Sequence, residues 1–297
     1  MRKLINLVLI ISSMLLINVQ MYAQNLGIGA NTFTPDASAG LEIQFTNKGL
    51  LIPRMTTAQR DSISNPAQSL LIFNTTTKCY EGYLDGAWKQ LACSFTCGNT
   101  LTVTHDDAGG VAPVDKTVTY ETVSTNLSGA TKCWITQNLG ATDQASSATD
   151  SDEPSAGWYW QFNRKQGYKH NGTTLTPNTT WITPIDESSD WLPANDPCTI
   201  LLGTGWRIPT KTEWENADNT GGWANYNNTY TSVLKLHAAG YLYYSDGSLS
   251  NRGSYGYYWS STRNSRTNGW HLYFGSSSSH MNSINEAYGF SLRCLRD

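Results

Sequence analysis

The stretch Gly205-Trp206-Arg207-Ile208-Pro209-Thr210-Lys211-Thr212-Glu213-Trp214 has the pattern of a strand, a turn and the start of a helix. Thr210 and Glu213 have the spacing of a capping box, in which the two side chains satisfy backbone N–H groups that the first helical turn leaves free. The pair Gly221-Gly222 is a helix stop. We therefore predict a helix that begins after Thr210, and we expect both tryptophans of the stretch to pack in a core.

Downstream of this stretch, two segments have the alternating pattern of strands. Residues 270–274 alternate Trp, Leu and Phe with His271 and Tyr273, and residues 290–294 alternate Phe, Leu and Cys with Ser and Arg. Helical signals are sparse in residues 97–297, whereas short strands and long loops recur. This mixture predicts an α+β fold for the C-terminal domain.

Upstream, residues 24–96 form a different, β-rich block. Thr56 and Gln59 have capping-box spacing and mark a helix start, while residues 70–73 and 80–91 have the composition of strands. Asp85-Gly86 is a hairpin-turn signal. We predict a small β-rich N-terminal module, followed by a C-terminal domain of residues 97–297.

Residues 1–23 have the parts of a signal peptide, which are a basic start at Arg2-Lys3, an apolar run to Val19 and the small residue Ala23 at the expected cleavage point. An uncleaved N-terminal anchor is the alternative. No second long apolar run follows, so we expect no membrane span after cleavage. The prediction is an exported protein, at the cell surface or secreted, with the periplasm as the alternative location.

The overall composition excludes several classes of protein. Charged residues make up only 14% of the chain and the net charge is −3, so we expect no basic surface that binds nucleic acid. Aromatic residues make up 11%, which is too many for an intrinsically disordered chain. A polarity carried by amides and hydroxyls is more typical of exported β-rich proteins than of cytosolic helical ones.

The six cysteines are an even number, which favours disulfides in an exported chain. Many pairings are possible, and the sequence alone does not choose among them. We predict the pairs Cys79–Cys93, Cys97–Cys133 and Cys198–Cys294. The first would close a hairpin, and the last would tie the C-terminal strand to the middle of its domain. A zinc site is the alternative, but the chain has no Cys-x-x-Cys pair.

Five strings of the C-terminal domain occur together in one family. They are Cys133-Trp134-Ile135-Thr136-Gln137-Asn138-Leu139, Asp196-Pro197-Cys198, Gly205-Trp206-Arg207-Ile208-Pro209-Thr210 with Glu213-Trp214, Tyr258-Trp259-Ser260-Ser261-Thr262 and Gly289-Phe290-Ser291-Leu292-Arg293-Cys294-Leu295-Arg296-Asp297. Residues 97–297 thereby resemble the Fibrobacter succinogenes major paralogous domain, which is similar to the C-type lectin-like fold. The resemblance implies an exported, surface-facing domain that binds carbohydrate or another ligand.

The N-terminal module carries a second resemblance. Its strings are Asn25-Leu26-Gly27-Ile28-Gly29, Gly49-Leu50-Leu51-Ile52-Pro53-Arg54-Met55-Thr56, Asn65-Pro66-Ala67 and Leu71-Ile72-Phe73-Asn74-Thr75. They are similar to a module of Bacteroidetes exported proteins and to modules of phage tail-fibre tips. This implies attachment or assembly, and a homo-oligomer, often a trimer, through residues 24–96. A simple β-rich spacer is the alternative.

No recognisable catalytic motif is present, and we predict that the protein is not an enzyme. None of the five histidines lies in a catalytic string, and the chain has no nucleophile elbow, phosphate-binding loop or zinc-protease motif. Calcium is a further candidate metal, because the acidic run of residues 150–153 and the pair Asn195-Asp196 offer oxygen ligands. Neither has EF-hand spacing, so we expect no resident metal or cofactor.

Aromatic side chains suggest where a sugar would bind, because their flat faces stack on sugar rings while amides and hydroxyls bind the sugar hydroxyls. Trp158 and Trp160 would share one face of a strand, although a place in the core is the alternative. The segment of residues 241–258 is rich in tyrosine. We predict a ligand site that contains the following residues: Trp158, Trp160, Tyr243, Tyr255, Tyr257 and Asn268.

The leading functional prediction is an exported, non-catalytic protein that binds a glycan or a surface protein, as an adhesin would. The alternative is a structural or assembly component of an extracellular filament or surface layer. In that case residues 24–96 would drive oligomerisation and residues 97–297 would decorate the assembly.

Overall fold

The computed structural model describes residues 25–93 and 95–297. The predicted signal peptide, residues 1–23, lies outside the described residues. The chain divides into two compact units, Met1–Ser94 and Phe95–Asp297, which we call the N-terminal and C-terminal units. Among the described residues, no helix combines the length and the apolar character needed to cross a membrane.

The N-terminal unit contains two small sheets and one short helix. Strands β1 and β2 pair in parallel as a two-stranded sheet, and β3 to β6 form a second sheet in sequence order. The strands are β1 (Leu26–Gly29), β2 (Leu41–Gln44), β3 (Arg54–Met55), β4 (Leu71–Asn74), β5 (Cys79–Leu84) and β6 (Ala87–Cys93), and the helix is α1 (Thr57–Asp61).

Local signals in the N-terminal unit form the elements that were predicted from them. Thr56 and Gln59 make the capping box of α1. Asp85-Gly86 joins β5 to β6 as a two-residue turn, with positive φ at both residues. Such a turn needs residues that tolerate a left-handed backbone, and Gly does so at no steric cost.

The C-terminal unit is β-rich with short helices. Its strands are β7 (Leu101–His105), β8 (Lys116–Tyr120), β9 (Thr122–Thr125), β10 (Lys132–Ile135), β11 (Tyr159–Trp160), β12 (Gly167–His170), β13 (Leu175–Thr176), β14 (Trp206–Arg207), β15 (Tyr241–Leu242), β16 (Leu249–Ser250), β17 (Gly256–Ser265), β18 (Asn268–Phe274), β19 (Ser279–Asn285), β20 (Phe290–Ser291) and β21 (Leu295–Arg296). Its helices are α2 (Glu153–Ala156), α3 (Pro197–Leu202), α4 (Lys211–Gly221) and α5 (Tyr226–Thr231).

One seven-stranded sheet dominates this unit, in the order β13-β12-β11-β20-β17-β18-β19. A four-stranded sheet has the order β14-β21-β10-β9, while β7 pairs with β8 and β15 with β16. The long hairpin of β17 and β18 lies between β20 and the edge strand β19 of this sheet. Because side chains alternate between the faces of a strand, Trp259 packs in one aromatic core and Tyr258 in another.

The stretch that opens at Gly205 behaves as its pattern predicts. Thr210 and Glu213 form the capping box of α4, and Gly222 ends the helix in the left-handed conformation. Trp206 and Trp214 are buried. Arg207 pairs with Glu213 and with the side chain of Asp297. This stretch therefore joins a strand, a helix and the C-terminal residues of the domain.

Two of the predicted disulfides are confirmed. Cys97 bonds to Cys133 and Cys198 bonds to Cys294, with Cα–Cα distances of 5.7 and 5.6 Å. Cys79 is also disulfide-bonded, and it lies opposite Cys93 in the ladder of β5 and β6. The side chain of Cys93 lies outside the described part of the structure. Disulfides are compatible with an exported protein, because they persist in oxidising compartments.

The strands of the N-terminal unit agree with the predicted β-rich module, and the many short strands and few helices of the C-terminal unit agree with the sparse helical signals of residues 97–297. The finer assignment of the C-terminal unit to the C-type lectin-like fold stays a prediction.

Candidate functional site

Trp158 and Trp160 are not available to a ligand, which corrects their predicted role. Both are fully buried, and their ring centroids lie 6.2 Å apart. His105, at the end of β7, packs edge-on against Trp158 at 5.1 Å. A Cβ added at Gly140 would lie only 2.1 Å from the Trp158 ring. The structure places both tryptophans in the core, which was the alternative interpretation.

Tyr243, Tyr255 and Tyr257 do come together, in a larger cluster that we call the tyrosine row. Successive ring centroids lie 4.9 to 5.5 Å apart along it. In order, the row is Tyr244, Tyr288, Tyr241, Tyr257, Tyr273 and His280. Tyr243 packs beside Tyr244 and Tyr288, and Tyr255 packs beside Tyr257 and Tyr273.

Strand register assembles the middle of the row. Tyr257 of β17 lies opposite Tyr273 of β18, which lies opposite His280 of β19. Tyr255 precedes Tyr257 by two residues and so points to the same face. At the other end, the bridge between Leu242 and Gly289 brings Tyr241 of β15, and Tyr243 and Tyr244 that follow it, next to Tyr288.

The rings of the row remain partly open to solvent. Tyr244 is 37% exposed and the other tyrosines of the cluster are half-buried. Burial raises the pKa of the Tyr257, Tyr273 and Tyr288 hydroxyls, so these groups are neutral near pH 7. Among the described residues, neither Lys nor Arg packs over a ring of the row. The tyrosines of the row therefore offer uncharged rings with hydroxyl groups at their edges, and neighbouring tyrosine rings along the row are tilted by 51 to 73°.

Asn268 does not belong to this cluster, which corrects a second predicted site residue. It begins β18, five residues before Tyr273, which is about 17 Å along an extended strand. The odd separation also places the two side chains on opposite faces of the sheet. Asn268 therefore cannot contact a ligand that lies on the tyrosine row.

Sequence reasoning missed Tyr273, Tyr288 and His280 as members of the cluster. The alternation of residues 270–274 did place Tyr273 on the face opposite the apolar residues. What the alternation could not supply was the register between β17, β18 and β19, which decides that Tyr273 lies between Tyr257 and His280.

The acidic run near residue 150 organises a loop. Asp150 accepts hydrogen bonds from the backbone N–H groups of Ser146 and Asp152, at 2.7 and 2.9 Å. Burial alone would raise the pKa of Asp150, but these hydrogen bonds lower it to about 2. The carboxylate is therefore ionised, and its oxygens already accept hydrogen bonds from the backbone of the loop.

Asp196, the other oxygen-ligand candidate, is also engaged within the protein. It is the N-cap of α3, where Oδ1 accepts from the N–H of Cys198 at 2.8 Å, while Oδ2 accepts from the N–H of Ile208 at 3.0 Å. Burial raises its pKa to about 6. Both oxygens already accept backbone hydrogen bonds within the protein. We therefore still expect no metal ion at Asp196.

The N-terminal unit presents a different kind of surface, because eight of its large apolar side chains are exposed. Leu50 and Leu51 are 68% and 73% exposed. The other exposed members of this set, which we call the apolar surface of the N-terminal unit, are Leu26, Ile28, Leu41, Leu71, Tyr80 and Leu91. Leu50 and Leu51 line a groove together with Phe73 and Tyr80.

The interior of the N-terminal unit is correspondingly small and polar. Among its described residues, Ile72 and Cys79 are the buried apolar side chains, and Asn74 and Glu81 are buried beside them. Glu81 pairs with Arg60 at 2.6 Å and accepts a hydrogen bond from Asn74. A buried ion pair adds little net stability. Since Ile72 and Cys79 are its buried apolar side chains, the described part of the unit also gains little from apolar burial.

Comparison with known proteins finds two partial matches. Residues 27–105 match a family described as a phage tail like trimerisation region, and residues 219–295 match a domain of unknown function, DUF8237. No curated protein and no solved structure matches the chain. The first match supports the predicted phage-tail-like module at the N-terminus. The resemblance of residues 97–297 to the Fibrobacter family stays a prediction.

Proposed function

We propose that this protein is a non-enzymatic assembly component that forms a homotrimer through its N-terminal unit and presents three copies of its C-terminal unit outside the cell. The observation that carries the proposal is the apolar surface of the N-terminal unit. All of its members except Leu26 lie within the segment of residues 27–105 that matches a trimerisation region.

Physical chemistry supports association at this surface. Eight large apolar side chains are exposed in a unit of about 70 described residues. Three of them, Leu50, Leu51 and Tyr80, line one groove, and contiguous exposed apolar patches mark interaction sites. The two-stranded sheet of β1 and β2 has no further strand beside it within the described residues. An isolated two-stranded sheet is marginally stable at best. Contact with two further copies would bury the apolar side chains and support this sheet.

Light scattering on the full exported chain tests the assembly proposal. We expect a mass of three chains across the micromolar range. A monomer at every concentration would contradict the proposal.

A second candidate function is glycan binding at the tyrosine row, which favours a role in adhesion. The row combines partly exposed ring faces with hydroxyls, and among the described residues no protein group hydrogen-bonds the hydroxyls of Tyr255 or Tyr257. Sugar rings stack on such faces, and their hydroxyls need such partners. The resemblance of this unit to a family that is similar to the C-type lectin-like fold agrees with this role.

A polysaccharide pull-down tests glycan binding. Tyr257→Ala removes the ring at the centre of the row and should reduce capture at least tenfold. Trp270→Ala is the matched control, because Trp270 is a half-buried aromatic residue on the opposite face of β18, where Lys211 packs over it. Equal capture by the two variants, with folding retained, would place any glycan site elsewhere.

A further inference from the structure

We infer that the tyrosine row takes a stretch of an extended, uncharged glycan chain, rather than one terminal sugar or an acidic polysaccharide. This inference rests on the proposed glycan binding and adds the class of ligand to it.

The length of the row argues for a chain of several sugars. Six rings follow one another, from Tyr244 to His280, with neighbouring centroids at about one ring's width. Its half from Tyr257 to His280 crosses three adjacent strands, which lie about 4.8 Å apart. One sugar would cover a single ring and leave most of the row uncovered.

The shape of the row argues for an internal stretch of the chain. The residues at its two ends, Tyr244 and His280, are its exposed members, whereas the rings between them are half-buried. A chain lying on the row can therefore continue into solvent at either end.

The charges around the row argue for an uncharged ligand. Recognition of a carboxylate or sulfate group uses Arg or Lys, and among the described residues neither packs on the rings. Asp246 lies in the turn between β15 and β16, close to Tyr243, and its carboxylate is held by the N–H of Ser248 at 2.9 Å. A negative charge at this end of the row would repel an acidic polysaccharide.

Titration calorimetry on the full exported chain tests the inference. The probes are β-linked glucose and mannose oligomers of one to six units, with an oligomer of uronic acid as the charged counterpart. We expect affinity to rise at least tenfold between the dimer and the hexamer of one neutral series, and we expect the uronic acid oligomer to bind at least tenfold more weakly.

Two variants connect the binding to the row. Tyr257→Ala should weaken hexamer binding at least tenfold. Tyr257 also packs on Phe290, so the exposed end residue provides a variant that leaves the core intact: Tyr244→Ala should weaken the hexamer several-fold and leave a short oligomer less affected. Trp270→Ala should leave the affinity for the hexamer unchanged.

The outcomes separate the inference from the function on which it rests. A monosaccharide that binds as tightly as the hexamer, or a uronic acid oligomer that binds more tightly, would overturn the extended, uncharged ligand while leaving glycan binding in place. No binding of any oligomer, or hexamer binding that neither tyrosine variant weakens, would overturn glycan binding at the row itself.

Discussion

At the scale of single residues, Glu286 is a buried carboxyl group whose Oε1 has no hydrogen-bond partner among the residues that the structure describes. The backbone N–H of Glu187 lies 3.3 Å from its Oε2, and the carboxylate of Glu187 pairs with Arg164. Burial, with a smaller contribution from the charge of Glu187, raises the pKa of Glu286 to about 7. The folded protein therefore keeps a proton on Glu286 at pH values where the unfolded chain has lost it.

This pKa predicts how stability depends on pH. A pKa raised in the folded state gives stability that is fully present below the ordinary value of 4.5 and is lost as the pH rises through about 7. Glu286→Gln removes the titration. Between pH 5 and pH 8, the free energy of unfolding of the wild type should fall by roughly 1 to 3 kcal/mol more than that of the variant.

Urea unfolding of the C-terminal unit at four pH values measures the difference. Glu121→Gln is the control, since Glu121 is an exposed carboxylate of the same unit, and it should follow the wild type. Parallel curves for wild type and Glu286→Gln would contradict the raised pKa.

At the scale of elements, Asp196 shows how one side chain holds a helix and a strand connection together. It caps α3 through the N–H groups of Cys198 and Thr199, and it accepts from Ile208, the residue after β14. We expect Asp196→Ala to destabilise the C-terminal unit by about 2 to 4 kcal/mol, because it removes a cap and leaves a buried donor unpaired.

Asp152→Ala provides the control for this prediction. Asp152 is the N-cap of α2, but its side chain makes no capping hydrogen bond. Thermal unfolding should show a clear loss for Asp196→Ala and a change within about 0.5 kcal/mol for Asp152→Ala. Equal effects would mean that the position at a helix start, rather than the hydrogen bonds, sets the cost.

The elements also show which parts of the site were predictable. Trp158 and Trp160 have the same two-residue spacing as Tyr255 and Tyr257, and the sequence predicts a ligand site at both pairs, from the spacing for the tryptophans and from the tyrosine-rich segment for the tyrosines. The spacing does place each pair on one face. Whether that face is covered depends on distant segments, such as β7 with His105, which packs against Trp158.

At the scale of the whole molecule, assembly should depend on the apolar surface of the N-terminal unit. Leu50→Asp with Leu51→Asp places two charges on its most exposed side chains and should convert the trimer to a monomer, because a charge buried in an interface without a partner is costly. Light scattering checks the mass of the variant against the wild type.

The matched control places the same two charges on exposed apolar residues of the C-terminal unit, by Leu192→Asp with Val233→Asp. This variant should keep the mass of the wild type. If it also dissociates, or if the Leu50 and Leu51 variant stays trimeric, the assembly surface lies elsewhere.

Short-range features of this protein are determined by its sequence alone. The capping boxes at Thr56 and Thr210, the turn at Asp85-Gly86 and the alternation of residues 270–274 involve neighbours in the chain, so a few residues contain the whole physical cause. The tertiary structure decided which aromatic residues are covered, that Asn268 and Tyr273 lie on opposite faces, and which apolar side chains of the N-terminal unit, such as Leu50 and Leu51, are exposed. Burial is decided by segments that are far apart in sequence, and their positions depend on strand order and register across the whole unit.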